Sequence, residues 1–341
     1  MEFPASHNPL RENVFPVKSA LRSLFENFLV LSGVHHLFRW LNRRKILILM
    51  YHGVSKAPFP MVCWWQLPYE QFRTQLQYLK MHYTVLHLSD AVKRLKERQP
   101  LPTNTAVITF DDGYRNNLTT ALPLLNNEHL PATIFLTTGF IGSDALLWPD
   151  DLYLRFSRRN RVEEFHDALE SLKAMSADKK QVALRRLQAE MPIDSGGASI
   201  KDEFRLLAWN EVAMMHKGGL IEFGAHSVHH EILSRLRPED MADEVRTSCN
   251  AIHGRLGTAA VMFAYPNGRE GDFNPEVKNE LEKANVCCSV STIYGLNDGT
   301  ADLFALKRVG VGADMTIATF KLMTSGFIGW MKALLRQAEH A

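Results

Sequence analysis

Ala106-Val107-Ile108-Thr109-Phe110-Asp111-Asp112-Gly113-Tyr114 reads as a buried strand that stops at two carboxylates and a glycine turn. A short uncharged run of this kind suits a strand covered on both faces, as parallel sheets require. In parallel α/β folds, functional groups gather beyond the carboxyl ends of strands. Adjacent residues of an extended chain point in opposite directions. A turn at Gly113 nevertheless brings Asp111 and Asp112 to one place. Two carboxylates held that close repel unless a cation or a shared proton compensates. The plainer alternative is a surface Asp pair that opens a turn.

Working outward, Lys45–His52 is another continuous apolar run and reads as a strand. Glu70–Lys80 has Phe72, Leu76 and Leu79 on one helical face. Tyr83–Leu88 reads as a strand, with Ser89 capping the helix that follows. Ala132–Thr137, Leu220–Phe223, Ala260–Tyr265, Val286–Ser291 and Arg308–Val311 are further strands. Pro238 opens a helix with Met241, Val245, Ile252 and Leu256 on one face, and Gly257 closes it. Residues 150–205 change character: Val162, Phe165, Leu169 and Leu172 recur at helical spacing among charges, until Ser195-Gly196-Gly197 breaks the pattern. Strands alternating with helices predict a parallel α/β architecture, either an open sheet or a barrel, carrying a helical insertion.

Apolar residues make up 46% and charged residues 22% of 341, which excludes wholesale disorder, collagen and coiled coil. Lys plus Arg is 39 against 37 Asp plus Glu, so no bulk charge points to nucleic acid. Cys63, Cys249, Cys287 and Cys288 form no C-x-x-C pair, and reduced thiols in a cytoplasm are the simplest expectation. No secretory signal is expected at the N-terminus. The longest stretch without Asp, Glu, Lys or Arg is His129–Ser143, 15 residues, too short to span a bilayer. Residues 17–44 and 320–336 are amphipathic, with Leu21, Leu24, Phe25, Phe28 and Leu29 in the first and Phe320, Phe327 and Trp330 in the second. They read either as helices packed on the main domain or as membrane-surface segments.

A second motif follows a strand: Gly224-Ala225-His226-Ser227-Val228-His229-His230-Glu231. His226 and His230 are four apart, so one helical turn would put both imidazoles on the same side, while His229 points elsewhere. With Asp112 they make a His-His-Asp set suited to zinc or another first-row divalent ion, with a position left open for water. Phe263-Ala264-Tyr265-Pro266-Asn267-Gly268 is a strand that breaks into a tight turn able to expose backbone N–H groups, although taken alone it reads as a plain turn. There is no G-x-S-x-G elbow and no Walker A loop. Gly310-Val311-Gly312 lacks a third glycine, because Met315 takes its place.

With Thr109–Gly113, His226–His230 and Ala264–Asn267 in this order, residues 46–312 resemble the polysaccharide deacetylase family, also called the NodB-homology or carbohydrate esterase family 4. The opening Leu49-Met50-Tyr51-His52-Gly53-Val54 resembles the first strand of bacterial members. The resemblance implies a distorted (β/α)7-type barrel of the glycoside hydrolase/deacetylase kind, with 148–208 as the insertion. The domains expected are an amphipathic helical extension 1–45, a catalytic domain 46–315 and a C-terminal amphipathic helix 316–341. The resemblance further implies Asp111 as general base, and Asp112, His226 and His230 as ligands of a divalent ion, zinc first among them. Asn267 stands where a Tyr lends its backbone N–H to the oxyanion. Tyr114, Tyr265 and Pro266 fall at substrate-binding positions. Two departures stand out. The family's turn-motif Arg is Ala264 here, and its late L-x-H is Leu306-Lys307-Arg308. Arg308 is therefore expected to pair with Asp111 in place of the missing Arg, and His52 to supply the proton for the leaving amine.

The activity so implied is removal of an N-acetyl group from an amino sugar in a polysaccharide or glycan precursor. A non-catalytic glycan-binding member of the fold and a deacylase acting on a non-sugar amide are the competing readings. Trp64, Trp65, Tyr114 and Trp148 are candidates to stack on sugar rings, or else to pack the core and rim. The expected partner is an N-acetylated glycan, not nucleic acid, with action in the cytoplasm or at the inner membrane face.

Overall fold

The computed structural model describes residues 16–157, 161–193, 198–258 and 261–339. They form two compact units: Arg44–Ala313, and a smaller one made of the residues up to Arg43 and from Asp314.

Seven strands close into a barrel in the larger unit: β1 (Leu47–Tyr51), β2 (Thr105–Phe110), β3 (Ala132–Leu136), β4 (Ile221–Ala225), β5 (Val261–Ala264), β6 (Val286–Tyr294) and β7 (Leu306–Gly310). Each pairs in parallel with its neighbour, in the order β1-β7-β6-β5-β4-β3-β2. β2 then bonds back to β1 from Leu47↔Ala106 to Tyr51↔Phe110, so the sheet closes. The barrel alternative is therefore the correct one, and closure leaves no open edge. The distortion has a local cause. Thr84–Val85 pairs with the first two residues of β2, while β3 pairs only with Thr109 and Phe110.

Alternation along each strand sorts the side chains. Val107 points into the barrel, where it packs with Ile48, Phe135, Met262, Val290 and Leu306. By the same period Thr109 and Asp111 follow it inward. Phe110 points outward and meets Phe72 of the helix Tyr69–His82 at 5.8 Å between ring centroids. Burying such a ring contributes about 1.5–3 kcal/mol. In β7 the alternation puts Leu306 and Arg308 inside and leaves Lys307 exposed.

Tyr83–Leu88 is not a full strand: only Thr84–Val85 is extended, and Leu88 already begins the helix Leu88–Lys96. Leu88, Ala91 and Val92 bury one helical face in the barrel core, so the period of three to four overrides the apolar run. His87 occupies the cap position expected for Ser89, whose hydroxyl donates instead to Glu222 at 2.6 Å. The helix Pro238–Leu256 ends as expected at a left-handed Gly257, φ +66°.

Within 148–208 lie the helices Trp148–Ser157, Val162–Ala174, Ala177–Glu190 and Ala198–Asp202. Phe165, Leu169 and Leu172 are buried, as their spacing predicts. The break at Ser195-Gly196-Gly197 lies outside the described residues. The smaller unit holds the helices Pro16–Leu31, Val34–Leu41, Ile317–Thr324 and Phe327–Glu339. Two helices replace the single C-terminal one expected, because Gly326 adopts φ +86° between them. The four cysteines are free thiols.

Candidate active site

Asp111 extends the β1–β2 ladder by one rung, its N–H donating to the Tyr51 carbonyl at 2.9 Å. The chain then turns through two left-handed residues, Asp112 at φ +73° and Gly113 at φ +85°. A Cβ on Gly113 would stand 2.6 Å from Leu136 Cδ2, so only glycine fits there. This turn swings Asp112 aside from Asp111 and toward the loop after β4.

That loop carries His226 and His230, and it is not a helical turn. Ser227 and His230 both take φ +59°, and the His230 N–H donates to Ser227 Oγ at 3.0 Å. The imidazoles meet through this tight loop, with ring centroids 4.9 Å apart. Asp112 Oδ1 lies 3.6 Å from His226 Nε2 and 3.4 Å from His230 Nε2. These separations are long for hydrogen bonds. One ligand atom from each of the three residues falls within 4.8 Å of the other two. His226 Nδ1 donates to the Ala264 carbonyl at 2.8 Å, which leaves the Nε2 lone pair facing the cluster.

The electrostatics of this cluster call for a cation. Burial pushes the Asp112 carboxyl well above its usual range, and the neighbouring Asp111 charge adds to the push. Burial also lowers His226 and, further, His230, so both rings are neutral and their lone pairs are available. Asp112 Oδ1 is buried without a hydrogen-bond partner among the described residues. A buried, unpartnered carboxyl oxygen facing two neutral imidazole nitrogens fits a divalent ion, whose charge would offset the burial and hold Asp112 ionised.

Glu244, on the buried face of the helix Pro238–Leu256, holds the loop from behind. Its carboxylate accepts the N–H groups of Val228 and His229 at 2.8 and 2.9 Å and bonds the His229 ring at 2.5 Å. This accounts for His229 pointing away from the cluster. Sequence reading missed Glu244, although an acid between Met241 and Val245 on an apolar stripe is a signal. Glu244→Ala should weaken zinc binding about 10–100-fold, as loss of an orienting partner does elsewhere. Competition with a chromophoric chelator measures this, and an unchanged affinity would reject a holding role for Glu244.

Arg308 and Asp111 form a fully buried, two-pronged ion pair, with both N···O distances 2.7 Å. Arg308 also donates to the Ser291 carbonyl at 2.7 Å and to Thr109 Oγ1 at 3.2 Å. Burial alone would raise Asp111, but Arg308 outweighs it, with help from His226, and holds the carboxyl at about 2. Asp111 is therefore an oriented, permanently ionised carboxylate. Burial depresses His52 to about 4, against the opposing pull of Asp111 and with further lowering by Arg308 and His226. The His52 ring is thus neutral at pH 7 and packs edge-on against Trp64 at 5.3 Å.

Asn267 occupies a turn held from two sides. Its side-chain amide donates to Asp272, and its carbonyl accepts Thr292 Oγ1 at 2.8 Å. Its own backbone N–H makes no hydrogen bond among the described residues.

The residues expected to contact sugar are placed differently. Tyr114 is 1% exposed, and its hydroxyl donates to the buried Asp150 at 2.9 Å. Trp65 donates to the same carboxyl at 2.8 Å, and burial pushes Asp150 up to about 8 despite both donors. Tyr265 stacks on Phe273 at 4.2 Å and donates to the Phe304 carbonyl, and Pro266 is buried beside it. These side chains pack the walls and present no open ring. Trp64 and Trp148 remain partly exposed.

Comparison with known proteins places this geometry. The family model described as "Polysaccharide deacetylase" matches residues 98–288, more than half of the chain. YxkH of Bacillus subtilis, whose name assigns it provisionally to the polysaccharide deacetylases, is 23% identical over 277 residues, 81% of this chain and 75% of its own. The poly-β-1,6-N-acetyl-D-glucosamine N-deacetylase of Staphylococcus epidermidis is 39% identical over 75 residues, 22% of this chain and 26% of that one. Among solved structures, the Streptococcus pyogenes deacetylase PplD, in complex with acetate, has a TM-score of 0.56 at 19% identity, over 82% of this chain and 98% of its own. IcaB from Ammonifex degensii has a TM-score of 0.58 at 18% identity, over 83% and 97%. At these identities the structural likeness establishes the fold.

Proposed function

The chain belongs to the polysaccharide deacetylase family, and we propose that it hydrolyses the N-acetyl group of an amino sugar in a polysaccharide or glycan precursor. The observation that carries this reading is the Asp112–His226–His230 cluster set beside the Arg308-held Asp111. A divalent ion held by those three residues, zinc first for this nitrogen–oxygen donor set, would polarise the amide carbonyl and lower the pKa of a bound water. Asp111 takes the proton of the attacking water as the C–O bond forms. Arg308 fixes both Asp111 oxygens and, always protonated, is no proton donor itself. The Asn267 N–H donates to the developing oxyanion, a contact typically worth about 3 kcal/mol. The proton that Asp111 takes from the water passes by way of His52 to the leaving amine nitrogen as the C–N bond breaks, which returns both side chains to their resting state and leaves acetate and the free amine. Partly exposed beside His52, Trp64 is the ring that carries the sugar face.

The staphylococcal relative acts on a β-1,6-linked N-acetylglucosamine polymer, and oligomers of that linkage are the first substrate to try. Acetate release should appear with purified, zinc-loaded protein, disappear on chelation and return with zinc. A protein that binds zinc and retains the oligomers on a column but releases no acetate would instead be a glycan-binding member of the fold. Acetate release only from small non-sugar amides would overturn the substrate class.

A further inference from the structure

The smaller helical unit wears its amphipathicity inside out. On the helix Pro16–Leu31, Leu21, Leu24 and Phe28 share one arc and are exposed, Leu24 at 67% and Phe28 at 65%. The opposite side of the same helix buries Glu26, whose carboxylate accepts the Thr319 hydroxyl at 2.6 Å. The helix Val34–Leu41 repeats the pattern: His35 is buried while Leu37 and Trp40 face out. On the helix Phe327–Glu339, Trp330 and Leu334 are half exposed, one turn apart. Phe38 touches both Phe327 and Trp330, each at 5.1 Å, so the second and last of these helices are neighbours on that side. A water-facing helix keeps its apolar stripe inward, and an exposed apolar face this extended marks an interaction surface.

Charge selects the partner. Over residues 16–43 and 314–339, seven Lys and Arg stand against three Asp and Glu, while the whole chain carries only +2. The Arg43 guanidinium lies 4.4 Å from the Trp40 ring centroid. An exposed tryptophan beside a cation is the pairing favoured at the depth of lipid headgroups. No described helix is long and apolar enough to cross a bilayer. We propose that this unit docks on the surface of a bilayer containing anionic lipid, laying the outward Leu, Phe and Trp side chains into the headgroup boundary while its cations meet lipid phosphates.

Cosedimentation of the full chain with vesicles tests this. Vesicles of phosphatidylcholine and phosphatidylglycerol, mixed about three to one, should pellet the protein about tenfold or more better than pure phosphatidylcholine. Changing Leu24→Ser, Phe28→Ser and Trp40→Ser together should reduce pelleting about tenfold or more. The idea is overturned if wild type stays in the supernatant with anionic vesicles. It is equally overturned if wild type forms a dimer that the triple variant loses and shows no lipid binding, because the face is then a protein interface. Should the triple variant fail to fold, vesicles with brominated acyl chains should quench wild-type fluorescence, by an amount that Trp40→Phe reduces. No quenching overturns the proposal. Neither readout uses catalysis, so failure here leaves the assigned chemistry intact.

Discussion

Arg308→Met should lower the stability of the barrel by about 3–5 kcal/mol, the usual result of removing one partner from a buried ion pair. The variant leaves Asp111 as a buried carboxylate whose desolvation is no longer outweighed. The sign of the pH dependence should change with it. In wild type the Asp111 carboxyl lies at about 2 when folded, below the unfolded value of about 3.9. Its stabilising contribution is therefore complete above about pH 4 and is lost as pH falls toward about 2. In the variant the folded value lies above the unfolded one, so stability should fall as pH rises from 4. Urea unfolding at pH 5 and pH 8, with chelator present throughout, measures both effects. A midpoint matching wild type at both pH values would show that the pair contributes nothing. Arg308→Lys should fall between, since one ammonium cannot hold two carboxylate oxygens in a fork.

Asp111→Asn should reduce kcat by about 10²–10⁴, the range for losing a positioned base, with little change in KM or bound zinc. The side chain keeps its size and one oxygen for Arg308, and the ligand cluster is untouched. Because Asp111 stays ionised down to about pH 2, the wild-type rate should show no acid limb from this group in the working range. Acetate release measured from pH 5 to 10 compares the two proteins. A variant within a few-fold of wild type would remove Asp111 from the base role. In the same assay His52→Ala should lower kcat by about 10²–10⁴ with KM little changed, and a rate within a few-fold of wild type would exclude His52 as the proton donor.

The strands were legible in the sequence because a parallel barrel buries both faces, so each strand is a plain apolar run ended by a turn. Leu88 shows the limit: an apolar residue closing such a run belongs to the next helix, and only its three-to-four spacing with Ala91 and Val92 reveals it. The metal-type cluster was legible as residue types but not as geometry. A spacing of four suggests one helical turn, whereas left-handed backbone at Ser227 and His230 makes a compact loop that sequence spacing cannot encode. The Arg308–Asp111 contact was legible from the arginine missing at Ala264, since a buried carboxylate needs a cation from somewhere. Tyr114 and Tyr265 flank the motifs and so read as substrate contacts. Their burial depends on residues far along the chain, Asp150 and Phe273, which no local pattern announces.

Barrel closure has a consequence for how the protein is made. Arg308 reaches Asp111 across 197 positions of sequence, and it arrives on the last strand to leave the ribosome. Until residues 306–310 emerge, β1 and β6 lack the neighbour that joins them, and the Asp111 carboxylate lacks its Arg308 counter-charge. Closure of the barrel and pairing of the buried carboxylate thus depend on the same five residues, 306–310.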